Sequence, residues 1–147
     1  MNFVLKSKEL FKAEKPEHFT DFRHCEECNE HDCTLLSHDI DTIGLAELGN
    51  PGCDPLCFSS ADGLKYYIPA LIRLSLETID NKFYLGQFLF HLEGDGHSNG
   101  LWLACNAKQR DFIARFLQQI LDNHLDAVEL NCYSKELLRC YEIWSKI

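Results

Sequence analysis

The stretch SSADGLKYYIPALIRLSLE, residues 59–77, sets Leu64, Tyr67, Ile68, Leu71, Ile72 and Leu76 at helical spacing. An apolar stripe that recurs every three to four residues belongs to a helix with one face against a core. Ser59 or Ser60 stands where an N-cap belongs, its hydroxyl able to accept a first-turn amide. Pro69 falls inside the pattern. It removes an amide donor and crowds the preceding turn, so a kink or a split into two helices is expected there.

The same periodicity continues outward. Residues 83–92 form a second apolar helix, closed by Gly94, and residues 93–100, EGDGHSNG, form a polar loop. Residues 101–105 read as a short extended piece. Asn106 and Gln109 have capping-box spacing. They open a long helix that carries Phe112, Ile113, Phe116, Leu117, Ile120 and Leu121 on one face. Ser134 is the expected cap of a last helix, with Leu137, Leu138, Tyr141 and Trp144 at core spacing. Upstream, residues 7–15 suggest a short helix stopped by Pro16. Residues 25–36 contain no helix breaker, and residues 41–48 suggest one turn, ended by the loop signal Gly49-Asn50-Pro51-Gly52. The expected fold is all-α: one domain over residues 1–147, with a helical core at 59–147 and an irregular acidic Cys/His-rich cap at 16–58. A chain of this length buries roughly 68–70% of its unfolded surface, so it needs no staple to fold.

The formal net charge of −9 sits in one place. Residues 24–62 hold nine acids and no Lys or Arg, whereas the flanking segments nearly balance. An acidic chain without a basic patch is a poor fit to nucleic acid or an anionic membrane. The acidic segment favours a cation, or a partner protein with a basic surface. The N-terminus has no apolar run of signal-peptide length, and the most apolar window, residues 66–76, is interrupted by Pro69 and Arg73. The expected location is the cytoplasm.

In a reducing compartment, cysteines serve as metal ligands, reactive thiols or small core residues. Cys105, Cys132 and Cys140 lie in apolar or helical surroundings and read as core. The others cluster. HCEECNEHDCTLLSH, residues 24–38, packs three cysteines and three histidines into fifteen residues. Thiolate and imidazole are the ligands zinc prefers. Cys25, Cys28, His31 and Cys33 are the leading ligand set, with His24, His38, Cys53 and Cys57 as alternatives. The run C-x2-C-x4-C-x4-H has knuckle-like spacing, but it lacks the glycines that a knuckle needs between its ligands. A helical reading instead places His24, Cys28, His31, Leu35 and His38 on one continuous face. An activated bare thiolate is disfavoured here, because Glu26, Glu27, Glu30 and Asp32 raise a neighbouring thiol; a metal would offset them.

The runs PEHFTDFRHCEECNEHD and ELGNPGCDPLCFSSADGLKYYIPALI resemble a family of small helical bacterial proteins. The resemblance implies a helical, cytoplasmic, bacterial protein. It carries no activity and no site residue.

Two functions follow from the residues. One is a zinc-stabilised helical module that binds another protein. The other is an enzyme using a metal-bound water or a reactive thiol, with Glu26, Glu27 and Glu30 as general-base candidates.

Overall fold

The computed structural model describes residues 1–146. Among them every regular element is helical, and the fold is all-α. The chain divides into two compact units, one over residues 2–74 and one from Ser75 on.

In the first unit, helix α1 (Phe3–Leu10) begins where Asn2 accepts the Leu5 amide at 3.1 Å. It starts and stops earlier than the expected 7–15, because Asn2 supplies a cap and the buried Phe11 leaves helical geometry well before Pro16. Helix α2 (Glu26–Leu36) is capped by Cys25. Helix α3 (Leu45–Leu48) opens at Gly44, whose amide donates to the Glu47 carboxylate at 2.8 Å. Two 3-10 turns follow, Pro51–Cys53 and Pro55–Phe58. Each has proline first and an Asn or Asp side chain accepting the amide two residues on, at Asn50 and Asp54.

Helix α4 (Ala61–Glu77) runs through Pro69 as one helix, so the expected split does not occur. Proline costs a helix interior about 3 kcal/mol. Ile68, Ala70, Leu71 and Ile72 around it are all fully buried, and each large one contributes about 1.5–3 kcal/mol, which outweighs the loss. Of the two serines, Ser60 is the cap: its hydroxyl accepts the Gly63 amide at 3.1 Å.

Helix α4 also holds the segment after α2. The buried Tyr67 hydroxyl donates to the Leu35 carbonyl at 2.5 Å and lies 2.8 Å from that of His38. The Arg73 guanidinium donates to the carbonyls of Ile40 (3.1 Å) and Ile43 (2.7 Å). The carbonyls of His38, Ile40 and Ile43, in a segment without regular structure, are thereby answered by side chains of α4. Phe19 packs on Tyr66 and Tyr67, ring centroids 5.9 and 5.3 Å away.

The second unit contains α5 (Leu85–Glu93), α6 (Gly100–Ala104), α7 (Ala107–Asn123), α8 (Leu125–Leu130) and α9 (Ser134–Trp144). The capping box forms as its spacing implies: Asn106 accepts the Gln109 amide and Gln109 accepts that of Asn106, both at 2.9 Å. Residues 101–105 are not extended. Asn99 makes them helical by accepting the Trp102 amide at 2.9 Å, while its amide group donates to the carbonyls of His91 and Gly94. On α9, Trp144 Nε1 donates to the Leu92 carbonyl at 3.0 Å, and the Cys140 thiol reaches that of Leu89 at 3.4 Å. Ser134 is the first helical residue rather than a side-chain cap, because the turn ending α8 places Tyr133 there. Leu138 faces solvent. No helix among the described residues is long and apolar enough to cross a membrane.

Candidate metal centre

Helix α2 begins at Glu26 because Cys25 is extended (φ −162°, ψ 171°) and its sulfur accepts the Cys28 amide at 3.4 Å. A thiol here does what a serine hydroxyl usually does, occupying the N-cap and answering an amide that has no helical partner. Cys28 lies one turn on and is buried, whereas Cys25 is exposed. The Thr20 hydroxyl fixes this turn by donating to the Cys28 carbonyl at 2.7 Å.

His24 precedes the helix, so it does not share a helical face with Cys28. It arrives from the turn before, where its amide donates to the Asp21 carbonyl at 2.9 Å. Three donors converge: His24 Nδ1, Cys25 Sγ and Cys28 Sγ all lie within 4.8 Å of one another. The sulfurs are 3.3 Å apart, and Cys28 Sγ is 3.7 Å from His24 Nδ1. Tetrahedral zinc sets two sulfurs about 3.8 Å apart and sulfur and nitrogen about 3.6 Å apart. These two distances therefore suit such an ion with about half an ångström of adjustment at the sulfurs.

The electrostatics divide the two thiols. The Cys28 amide, with hydrogen bonds from His24 and Cys28, holds the Cys25 thiol below its ordinary value. The bond to Cys25 and its own burial push the Cys28 thiol up. The Cys25 sulfur in turn raises the His24 imidazole, by hydrogen bond and by charge. At Cys25 the largest influence on the thiol is thus a backbone amide rather than the surrounding acids.

The other sequence candidates lie elsewhere. His31 stacks on Phe58, ring centroids 4.5 Å apart, with its Nε2 4.0 Å from Glu27. The exposed Cys33 lines an open cleft together with Glu30, His31, His38, Glu47 and Cys53. There His38 Nδ1 is 4.0 Å from the Glu47 carboxylate. The exposed Cys57 sits three residues after Asp54, and burial of its sulfur followed by the Asp54 charge raises its thiol. Neither His31 nor Cys33 joins His24, Cys25 and Cys28.

A second constellation escaped the sequence reading. His18 Nδ1 is 2.8 Å from Asp32 Oδ2, and the imidazole stacks on Phe22 at 3.9 Å. Asp32, read from sequence only as part of an acidic run, is buried and accepts three hydrogen bonds. The residues in between lack a spacing rule that would have paired them. Together these features define an all-α protein with a three-donor thiol–imidazole centre at a helix start. No family model, curated protein or solved structure matches the chain.

Proposed function

We propose that this chain is a metal-binding interaction module. His24, Cys25 and Cys28 hold a thiophilic divalent cation, zinc by the character of the donors. The fourth position is left for a donor outside the chain. The observation carrying this reading is the convergence of one imidazole nitrogen and two sulfurs within 4.8 Å at the start of α2. Thiolate ligands and a divalent ion also neutralise one another amid Glu26 and Glu27. The acidic segment 24–62 suits a partner with a basic surface.

The same donor count supports a second reading. Catalytic zinc keeps three protein ligands and one water, and here His24 and Cys25 are exposed, so water reaches the open position freely. Glu26, Glu27 and Glu30 then remain the general-base candidates of a metal-dependent hydrolytic enzyme.

Protein purified without chelator and kept reduced should carry about one equivalent of zinc. Cys28→Ser and Cys25→Ser should lose it, while His31→Ala and Cys33→Ser should retain it. Cobalt substitution should give the strong near-ultraviolet bands of two thiolate ligands. Zinc below about a tenth of an equivalent, with thiols shown to be reduced, would overturn the proposal.

A further inference from the structure

We infer that Cys25 and Cys28, when metal-free, form a dithiol that exchanges with disulfides, and that it favours disulfides carrying positive charge. This goes beyond the metal proposal and does not depend on it. The warrant is the unequal placement of two neighbouring sulfurs. Cys25 Sγ is exposed and held by the Cys28 amide, so an incoming disulfide meets it first. Cys28 Sγ is buried directly behind, 3.3 Å from Cys25 Sγ. A disulfide bond needs about 2.05 Å, so closing the pair requires a movement of little more than an ångström. A buried second thiol beside an exposed first one is the arrangement that favours resolution of a mixed disulfide over its release.

The chemistry balances as an exchange. The Cys25 thiolate attacks one sulfur of R–S–S–R; a Cys25–S–R bond forms and one R–S⁻ leaves, taking a proton from water. Cys28 gives its proton to water, and its sulfur attacks Cys25 Sγ. The Cys25–Cys28 bond forms, and the second R–S⁻ leaves and is protonated. The protein dithiol is oxidised by two electrons, and the substrate disulfide is reduced to two thiols.

Charge selects the substrate. Four exposed acids, Asp21, Glu26, Glu27 and Glu30, lie within five residues of the pair in sequence, and the charges of Asp21 and Glu27 act on Cys28; Arg23 and the His24 imidazole are the basic side chains in the same stretch. A field of that sign concentrates cations and repels anions, and raises encounter rates by about tenfold or more.

The test uses the full chain, reduced, with metal stripped by chelator, and less than one equivalent of disulfide. Cystamine and a lysine-flanked peptide disulfide serve as cationic probes and glutathione disulfide as the anionic one. Peptide mapping by mass spectrometry follows each cysteine separately. Wild type should show a Cys25–Cys28 disulfide forming ahead of adducts at the exposed Cys33, Cys53 and Cys132. Both cationic probes should react about tenfold faster than glutathione disulfide at low salt, with the gap closing near 1 M salt; the faster of the two identifies a small or a peptide source. Cys28→Ser should stop at a mixed disulfide on Cys25. Cys25→Ser keeps a good N-cap and its fold, checked by circular dichroism, and should lose fast reaction at this pair. Equal rates at Cys25 and Cys33, or an unresolved mixed disulfide in wild type, would overturn the inference whatever the zinc content. A chain that exchanges rapidly but binds no zinc would overturn only the metal proposal.

Discussion

His18 Nδ1 stands 2.8 Å from Asp32 Oδ2, while the other oxygen of that carboxylate accepts the amides of Phe19 (2.6 Å) and Thr20 (3.1 Å). One buried side chain on α2 thus ties down residues 18–20, ahead of the candidate metal centre. Burial alone would raise the carboxyl, but these three hydrogen bonds outweigh it and hold Asp32 below its ordinary value.

Acid should therefore loosen the start of α2. A carboxyl whose folded pKa is depressed stabilises the fold above its unfolded value, about 3.9, and that contribution is lost as pH falls toward the folded value. Asp32→Asn keeps an acceptor for the two amides and removes the charge. It should cost about 1–3 kcal/mol at neutral pH and flatten the stability loss below about pH 4. Asp32→Ala leaves two amides unanswered and should cost more. Denaturant melts of the three proteins between neutral and acid pH check this. An acid limb equally steep in Asp32→Asn and wild type would reject it.

The same residue shows where sequence patterns stop being informative. Local rules were readable: the apolar stripe of α4, the Asn106–Gln109 box, the capping Ser60 and the C-x-x-C pair all depend on neighbours within four residues. The continuous face expected from His24 to His38 fails because helix α2 starts only at Glu26 and ends at Leu36. His24 reaches the sulfurs from outside the helix, and His31 is drawn onto Phe58. Residues 101–105 turned helical through Asn99, whose side chain answers groups on both sides of it. Pairs such as His18–Asp32, fourteen residues apart, follow from tertiary packing and leave no periodic trace.

Gly86 on α5 is required by Tyr133. A Cβ there would lie 2.7 Å from Tyr133 Cζ and 2.9 Å from its hydroxyl oxygen. Gly86→Ala should destabilise the protein by about 1–3 kcal/mol, despite the better helix propensity of alanine. In a Tyr133→Ala background the clash is gone, and the same change should be neutral or stabilising by up to about 1 kcal/mol. The double-mutant cycle from urea unfolding reads the coupling directly. A cycle that closes to zero would show that the ring swings away at no cost.

Cys132 ends α8 in the left-handed region, with φ 62°. Its amide donates to the Glu129 carbonyl and that of Tyr133 to Val128, both at 3.0 Å, the paired bonds of a Schellman turn. Glycine occupies this position without the Cβ strain, which is roughly 1–2 kcal/mol for other residues. Cys132→Gly should stabilise the protein by about 0.5–1 kcal/mol after the added freedom of the unfolded chain is counted. Cys132→Val, β-branched, should do the opposite. Equal midpoints for the glycine variant and wild type would mean that the thiol side chain makes compensating contacts.

Metal removal should act on one unit and spare the other. The three donors lie within five residues at the start of α2, and Thr20 and Asp32 connect that turn to residues 18–20. Ligand binding to the folded state alone stabilises by RT ln(1 + [L]/Kd), about 4 kcal/mol at a thousandfold excess over Kd. Chelation should therefore speed amide exchange over residues 18–36. The second unit has its own buried side chains, among them Phe88, Phe116, Leu137 and Trp144, and its amides should be unaffected. Cys28→Ser should exchange as fast as chelated wild type and gain nothing from added zinc. Hydrogen-exchange mass spectrometry on both proteins, with and without chelator, measures this. Chelator-insensitive exchange over residues 18–36 in a zinc-loaded wild type would show that the ion sits elsewhere.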